Sequence, residues 1–162
     1  MPTQLQDSHL LKTQAYINGQ WLNADASATF AVSNPANGAV IAEVANLGFI
    51  ETRVAIETAE AARPDWQSRT ALERSVILQA WHDLILQHQD DLAMLMTLEQ
   101  GKVLAESKAE VAYGASFIKW FAEEARRVYG DVIPAPHNDR RALVIKQPVG
   151  VAAAITPWNF PQ

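Results

Sequence analysis

The chain has 162 residues, of which 49% are hydrophobic and 19% charged, as in an ordinary globular protein. Its net charge is −5, with 13 basic residues interspersed among 18 acidic ones, which argues against the clustered Lys and Arg that nucleic-acid phosphates need. There is no cysteine, so disulfides and thiolate metal sites are excluded.

Residues 1–13 read as a loose polar leader without the basic and apolar regions of a secretory signal. No apolar run approaches ~20 residues, so no membrane-spanning helix is predicted and a soluble cytoplasmic protein is expected. Asn18-Gly19 between apolar flanks predicts a first hairpin. Strand-like residues 29–33 and 39–45, around Asn34-Pro35-Ala36-Asn37-Gly38, predict a second, completing a small antiparallel layer.

The middle is helical. Residues 50–62 carry apolar positions at 50, 54, 55, 59 and 62, and Pro64 is expected to end or kink that helix. Thr70 and Glu73 have the spacing of a capping box. Beyond it Leu72, Val76, Ile77, Ala80, Trp81, Leu84 and Ile85 form an apolar stripe. Asp90-Asp91 suits the start of a third helix, as exposed charge near the positive end of its dipole, and Gly101 its left-handed stop. A long helix is predicted over 103–129, with Val111, Gly114, Ala115, Ile118, Phe121, Ala122, Ala125 and Val128 on one side.

The remainder changes character. Val132-Ile133 and residues 142–146 predict two strands around a Pro-rich loop. The small, branched run 149–155 predicts a strand covered on both faces, as in a parallel sheet. Four histidines, at 9, 82, 88 and 137, lack metal-ligand spacing, and no metal site is expected. Ser75, Ser107 and Ser116 lie in predicted helices with no His–acid pair at evident spacing.

The hexapeptide Thr156-Pro157-Trp158-Asn159-Phe160-Pro161, preceded by Lys146-Gln147-Pro148-Val149-Gly150-Val151, resembles the start of the cofactor domain in the NAD(P)-dependent aldehyde dehydrogenase superfamily. Leu98-Glu99-Gln100-Gly101-Lys102 with Leu104-Ala105-Glu106 agrees. The text from Ala115 to Ala125, then Tyr129-Gly130-Asp131 and Ile133-Pro134, is most similar to the succinate-semialdehyde dehydrogenase branch. The resemblance implies an α/β fold, the N-terminal part of a cofactor domain: small antiparallel layer, helices and first parallel strand, with the start of an oligomerisation hairpin. The implied division is a leader at 1–13, the N-terminal part of the cofactor-binding domain at 14–130, the hairpin at 131–147 and the first dinucleotide-sheet strand at 148–162.

The same resemblance implies thioester chemistry with NADP or NAD on a small carboxy-aldehyde in a homo-oligomer. A cysteine thiolate attacks the carbonyl, and the side-chain amide of Asn159 is one of two donors to the resulting oxyanion. Thr156, Pro157, Trp158 and Asn159 would line the cofactor cleft, and Tyr113 and Phe117 would border the aldehyde channel. Read without the family, Asn159 between Pro and Phe is a turn residue, and Tyr113 and Phe117 are helix-packing residues. The sequence stops before the family's nucleophilic cysteine and general-base glutamate, so no activity is expected from this chain alone. The competing expectation is a helical interaction fragment that associates with a partner or complementary half. It rests on Val149, Val151 and Ile155, each of which forfeits ~1.5–3 kcal/mol if left in water.

Overall fold

The computed structural model describes residues 5–162. Strands β1 (Ala15–Ile17) and β2 (Gln20–Leu22) pair antiparallel, with Tyr16 opposite Trp21. The turn between them puts Asn18 at φ 52° and Gly19 at φ 75°, the two left-handed residues of a tight hairpin. Strands β3 (Thr29–Ser33) and β4 (Val40–Ala45) pair antiparallel with an irregularity at Val32/Ser33. The Asn34 carbonyl and side chain organise the intervening turn by accepting from Gly38 and Ala36. The two hairpins are separate sheets, joined where the Ala45 amide donates to the Thr13 carbonyl.

Helix α1 (Phe49–Ser68) passes through Pro64 and does not end there. Side-chain pairs surround the proline, and one of them spans it: Arg63 binds Glu60 and Gln67, and Arg69 binds Asp65. They hold the turn that lacks the proline's amide. Glu51 starts the helix by accepting from the amides of Gly48 and Asp25. Helix α2 (Ala71–Gln87) opens on the expected capping box, with the Thr70 amide 2.7 Å from Glu73 Oε2 and the Glu73 amide 3.3 Å from Thr70 Oγ1.

Helix α3 (Gln89–Gln100) ends at Gly101 in the left-handed conformation. Helix α4 (Leu104–Glu124) is shorter than predicted: the chain tightens to a 3₁₀ turn over Ala125–Arg127, where Arg127 pairs with Glu124. The core lies where α2 and α3 meet α4. Ala93, Met96 and Val111 are buried there, with Ile85, Leu92 and Leu104 packed on them. Polar bonds fasten α3 to α4: Thr97 Oγ1 to Ser107 Oγ at 2.9 Å, Gln89 to the Lys108 carbonyl, and Lys108 to Asp90.

The structure revises several expectations about faces. Leu72, Val76, Ile77, Ala80, Trp81 and Leu84 lie exposed on α2, whereas His82 is buried and Ile85 half-buried. On α4 the predicted stripe holds at Val111, Ala115 and Ala122, but Phe121 is exposed, as is Val128 beyond the helix. Asp91 is buried, not a solvated charge. Its two carboxylate oxygens accept from the amides of Gln6 and Asp7 at 2.8 and 2.9 Å, so this part of the expected loose leader is tied down. Residues 1–4 of that leader lie outside the described residues.

Strands β5 (Asp131–Ile133) and β6 (Ala142–Val144) form a third antiparallel pair, shorter than predicted at the second strand. Residues 149–155 form no strand and pair with none, and Val149 and Ile155 are almost fully exposed. A run suited to burial on both faces needs neighbouring strands for its amides and carbonyls, and no described strand lies beside it. No helix among the described residues is long and apolar enough to cross a membrane.

Candidate functional site

The site is built from the α3–α4 corner upward. Gly101, at φ 81°, reverses the chain after α3 and releases Lys102 toward α4. Glu110 projects from the second turn of α4 and is buried. The Lys102 ammonium and the Glu110 carboxylate form an ion pair, with only 14% and 3% of the two side chains exposed.

Residues 157–162 lie on this corner as a turn. The Phe160 amide donates to the Pro157 carbonyl at 3.1 Å, and Thr156 Oγ1 donates to the Pro161 carbonyl at 3.3 Å. Gln100 Nε2 donates to the Trp158 carbonyl at 2.9 Å, and Lys102 Nζ to the Asn159 carbonyl at 2.7 Å. The Gln162 amide donates to Glu110 Oε1 at 3.3 Å. The Phe160 ring sits 4.5 Å from the Lys102 ammonium, a cation–π contact. Gln100 Oε1 is buried without a partner among the described residues. Glu99, on the preceding turn, is partly backed by protein, and that burial raises its carboxyl above the ordinary value.

Asn159 is exposed and its carbonyl is tied, while no hydrogen bond holds its side chain among the described residues. It borders a cavity of about 550 Å3 with Lys102, Glu106, Ala109, Glu110, Tyr113 and Phe160. An unpartnered amide at the edge of a cavity can donate to an oxygen bound there. Tyr113 packs edge-on against Phe117, ring centroids 4.8 Å apart. Both rings are otherwise exposed. Trp158 is 85% exposed, and Thr156 and Pro157 are exposed beside it. The structure thus brings Tyr113 and Asn159 to one cavity, while Trp158, Thr156, Pro157 and Phe117 are not among its lining.

Sequence reasoning missed Gln100, Lys102 and Glu110 as parts of the site. The available signal was Glu110 itself, a carboxylate beside Val111 on the face that α4 buries. An acid at such a position implies a buried partner.

The aldehyde dehydrogenase family model matches residues 21–162. The chain belongs to the aldehyde dehydrogenase family. It is 60% identical over 158 residues to the glutarate-semialdehyde dehydrogenase of Pseudomonas putida, which covers 98% of this chain and 33% of that enzyme. It is 57% identical over 157 residues to the NADP+-dependent succinate-semialdehyde dehydrogenase of Escherichia coli, covering 97% and 33% of the two chains. The crystal structure of an NADP-dependent enzyme of Escherichia coli superposes with a TM-score of 0.95 at 57% identity, over 97% of this chain and 33% of that one. The aldehyde dehydrogenase chain therefore spans about a third of the length of the curated relatives it matches. Its mixed α/β architecture corresponds to the N-terminal portion of such enzymes, and the semialdehyde branch read from the sequence agrees with these relatives.

Proposed function

We propose that this chain supplies the oxyanion donor and part of the cofactor cleft of a dehydrogenase acting on a small carboxy-aldehyde, of the succinate or glutarate semialdehyde class. The observation that carries the reading is Asn159, whose main chain is fastened while its side-chain amide stays free beside a cavity. When a nucleophile adds to a carbonyl, its oxygen gains negative charge. A donor already aimed at that oxygen stabilises it without reorganising, which is worth on the order of 10²–10³ in rate. Tyr113 and Phe117 border the approach of the aldehyde in this reading.

The residues present fit one wall of a nicotinamide dinucleotide site. The Trp158 indole and the neighbouring Thr156 and Pro157 are open, and the irregular segment before them has main-chain groups free of any sheet ladder. Thr156, Pro157, Trp158 and Asn159 would hold NADP or NAD, which when bound accepts the hydride. The β5–β6 hairpin, with its exposed Val132 and Leu143, would serve association between copies. The alternative of a non-catalytic helical interaction fragment leaves the free amide of Asn159 without a purpose.

This chain alone should give no reduced nicotinamide with succinate or glutarate semialdehyde and NADP+ or NAD+, read by absorbance; turnover by the clean chain would refute that. In a hybrid enzyme where it replaces the matching third of the Pseudomonas putida relative, turnover should return. There Asn159→Ala should lower kcat roughly 10²–10³-fold. An active hybrid indifferent to that substitution would overturn the donor assignment.

A further inference from the structure

We infer that Lys102 and Glu110 are positioning residues that aim the Asn159 amide, an inference resting on the oxyanion-donor reading above. The side chain of Asn159 has no hydrogen bond of its own among the described residues, so its direction depends on how firmly its main chain is held. Lys102 holds it at the carbonyl, 2.7 Å away, and covers the next residue by facing the Phe160 ring. Glu110 completes the clamp from α4 by neutralising Lys102 with one oxygen and accepting from the Gln162 amide with the other. One ion pair thus restrains residues 159, 160 and 162, while Gln100 restrains 158.

A buried ion pair is a poor source of stability, because desolvation offsets most of the attraction. Its value here is geometric. An ammonium has three donor directions, and those filled by Glu110 and the Asn159 carbonyl fix the turn relative to α4 and to the connection that leads into it. The amide then meets a bound oxygen at the same place each time, whereas a shift of about 1 Å at a reacting centre costs as much as 10²-fold.

The test uses the hybrid enzyme with the Asn159→Ala variant as reference. Lys102→Met should lower kcat roughly tenfold to a hundredfold while KM moves less than about twofold. Lys102→Arg, which keeps the charge and the donors, should recover most of the loss. Lys102→Met combined with Asn159→Ala should be no slower than Asn159→Ala alone, since Lys102 acts through that amide. Because Lys102→Met leaves Glu110 buried and unpaired, the pair Lys102→Met with Glu110→Gln removes both charges, and the same kcat loss is expected from it. The inference is overturned if Asn159→Ala slows the enzyme while these Lys102 variants keep kcat within about twofold. Losses that simply multiply in the combination with Asn159→Ala would overturn it as well. Failure of the donor reading looks different: Asn159→Ala then has no effect, and there is nothing to aim.

Discussion

At the scale of single residues, Asn159 is the turn residue its neighbours Pro157 and Phe160 suggest, and its donor role remains a proposal. It sits in a turn closed by the Phe160 amide, and its own amide remains free beside a cavity. The hexapeptide made that position legible because its information is local. Lys102 and Glu110 were harder to read, because the main-chain groups they hold lie 57 and 52 residues away, and only the acid on the buried face of α4 hinted at a partner. The Thr70–Glu73 box is the opposite case, a contact within one turn that spacing alone identifies. Thr70→Ala should destabilise the chain by about 1 kcal/mol in urea or thermal unfolding. The same cap sets a pH dependence. The Thr70 amide, and then its hydroxyl, hold the Glu73 carboxyl below its ordinary 4.5. The contribution is therefore complete above about pH 4.5 and disappears as pH falls through the lower folded value. Unfolding curves at falling pH should show the wild-type advantage over Glu73→Gln shrinking across that window.

Among the elements, hairpins and helix starts were legible because turn and cap residues declare themselves. Helix faces were less so. Helix α2 is apolar on most of its circumference, and periodicity cannot choose between two apolar faces. The structure buries the one holding His82 and turns Trp81 outward. Residues 149–155 show the same limit: composition describes the surroundings a strand suits, while pairing depends on neighbours. Gly101 gives the sharpest test at this scale. It is left-handed, and a Cβ there would lie 2.9 Å from Pro35 Cγ, in the turn of the second hairpin. Gly101→Ala should cost at least ~1–2 kcal/mol from backbone strain alone. It should also loosen the Asn159 turn, since the corner that directs Gln100 and Lys102 moves with it. Faster amide exchange at Phe160 and Gln162 in this variant would register that coupling, and unchanged exchange would deny it.

For the molecule as a whole, surface area decides the argument. A compact monomer of 17.8 kDa exposes roughly 8,000 Å2. This chain exposes 11919 Å2, about half as much again, and many large apolar side chains are among the exposed ones. The β5–β6 hairpin is a clear instance: Val132 and Leu143 face each other in register and are 70% and 73% exposed. Patches of that kind draw proteins together, because covering each large side chain returns ~1.5–3 kcal/mol. The isolated chain should therefore associate as its concentration rises, seen by sedimentation velocity, and should bind a fluorescent apolar dye. Val132→Lys with Leu143→Glu puts opposite charges across the same strand pair, which preserves the hairpin while removing its apolar face. That double variant should sediment closer to a monomer and bind less dye. If association is unaltered, the seat of contact lies instead on the exposed faces of α1 and α2, where Phe49, Ile50, Leu72 and Trp81 also stand in solvent.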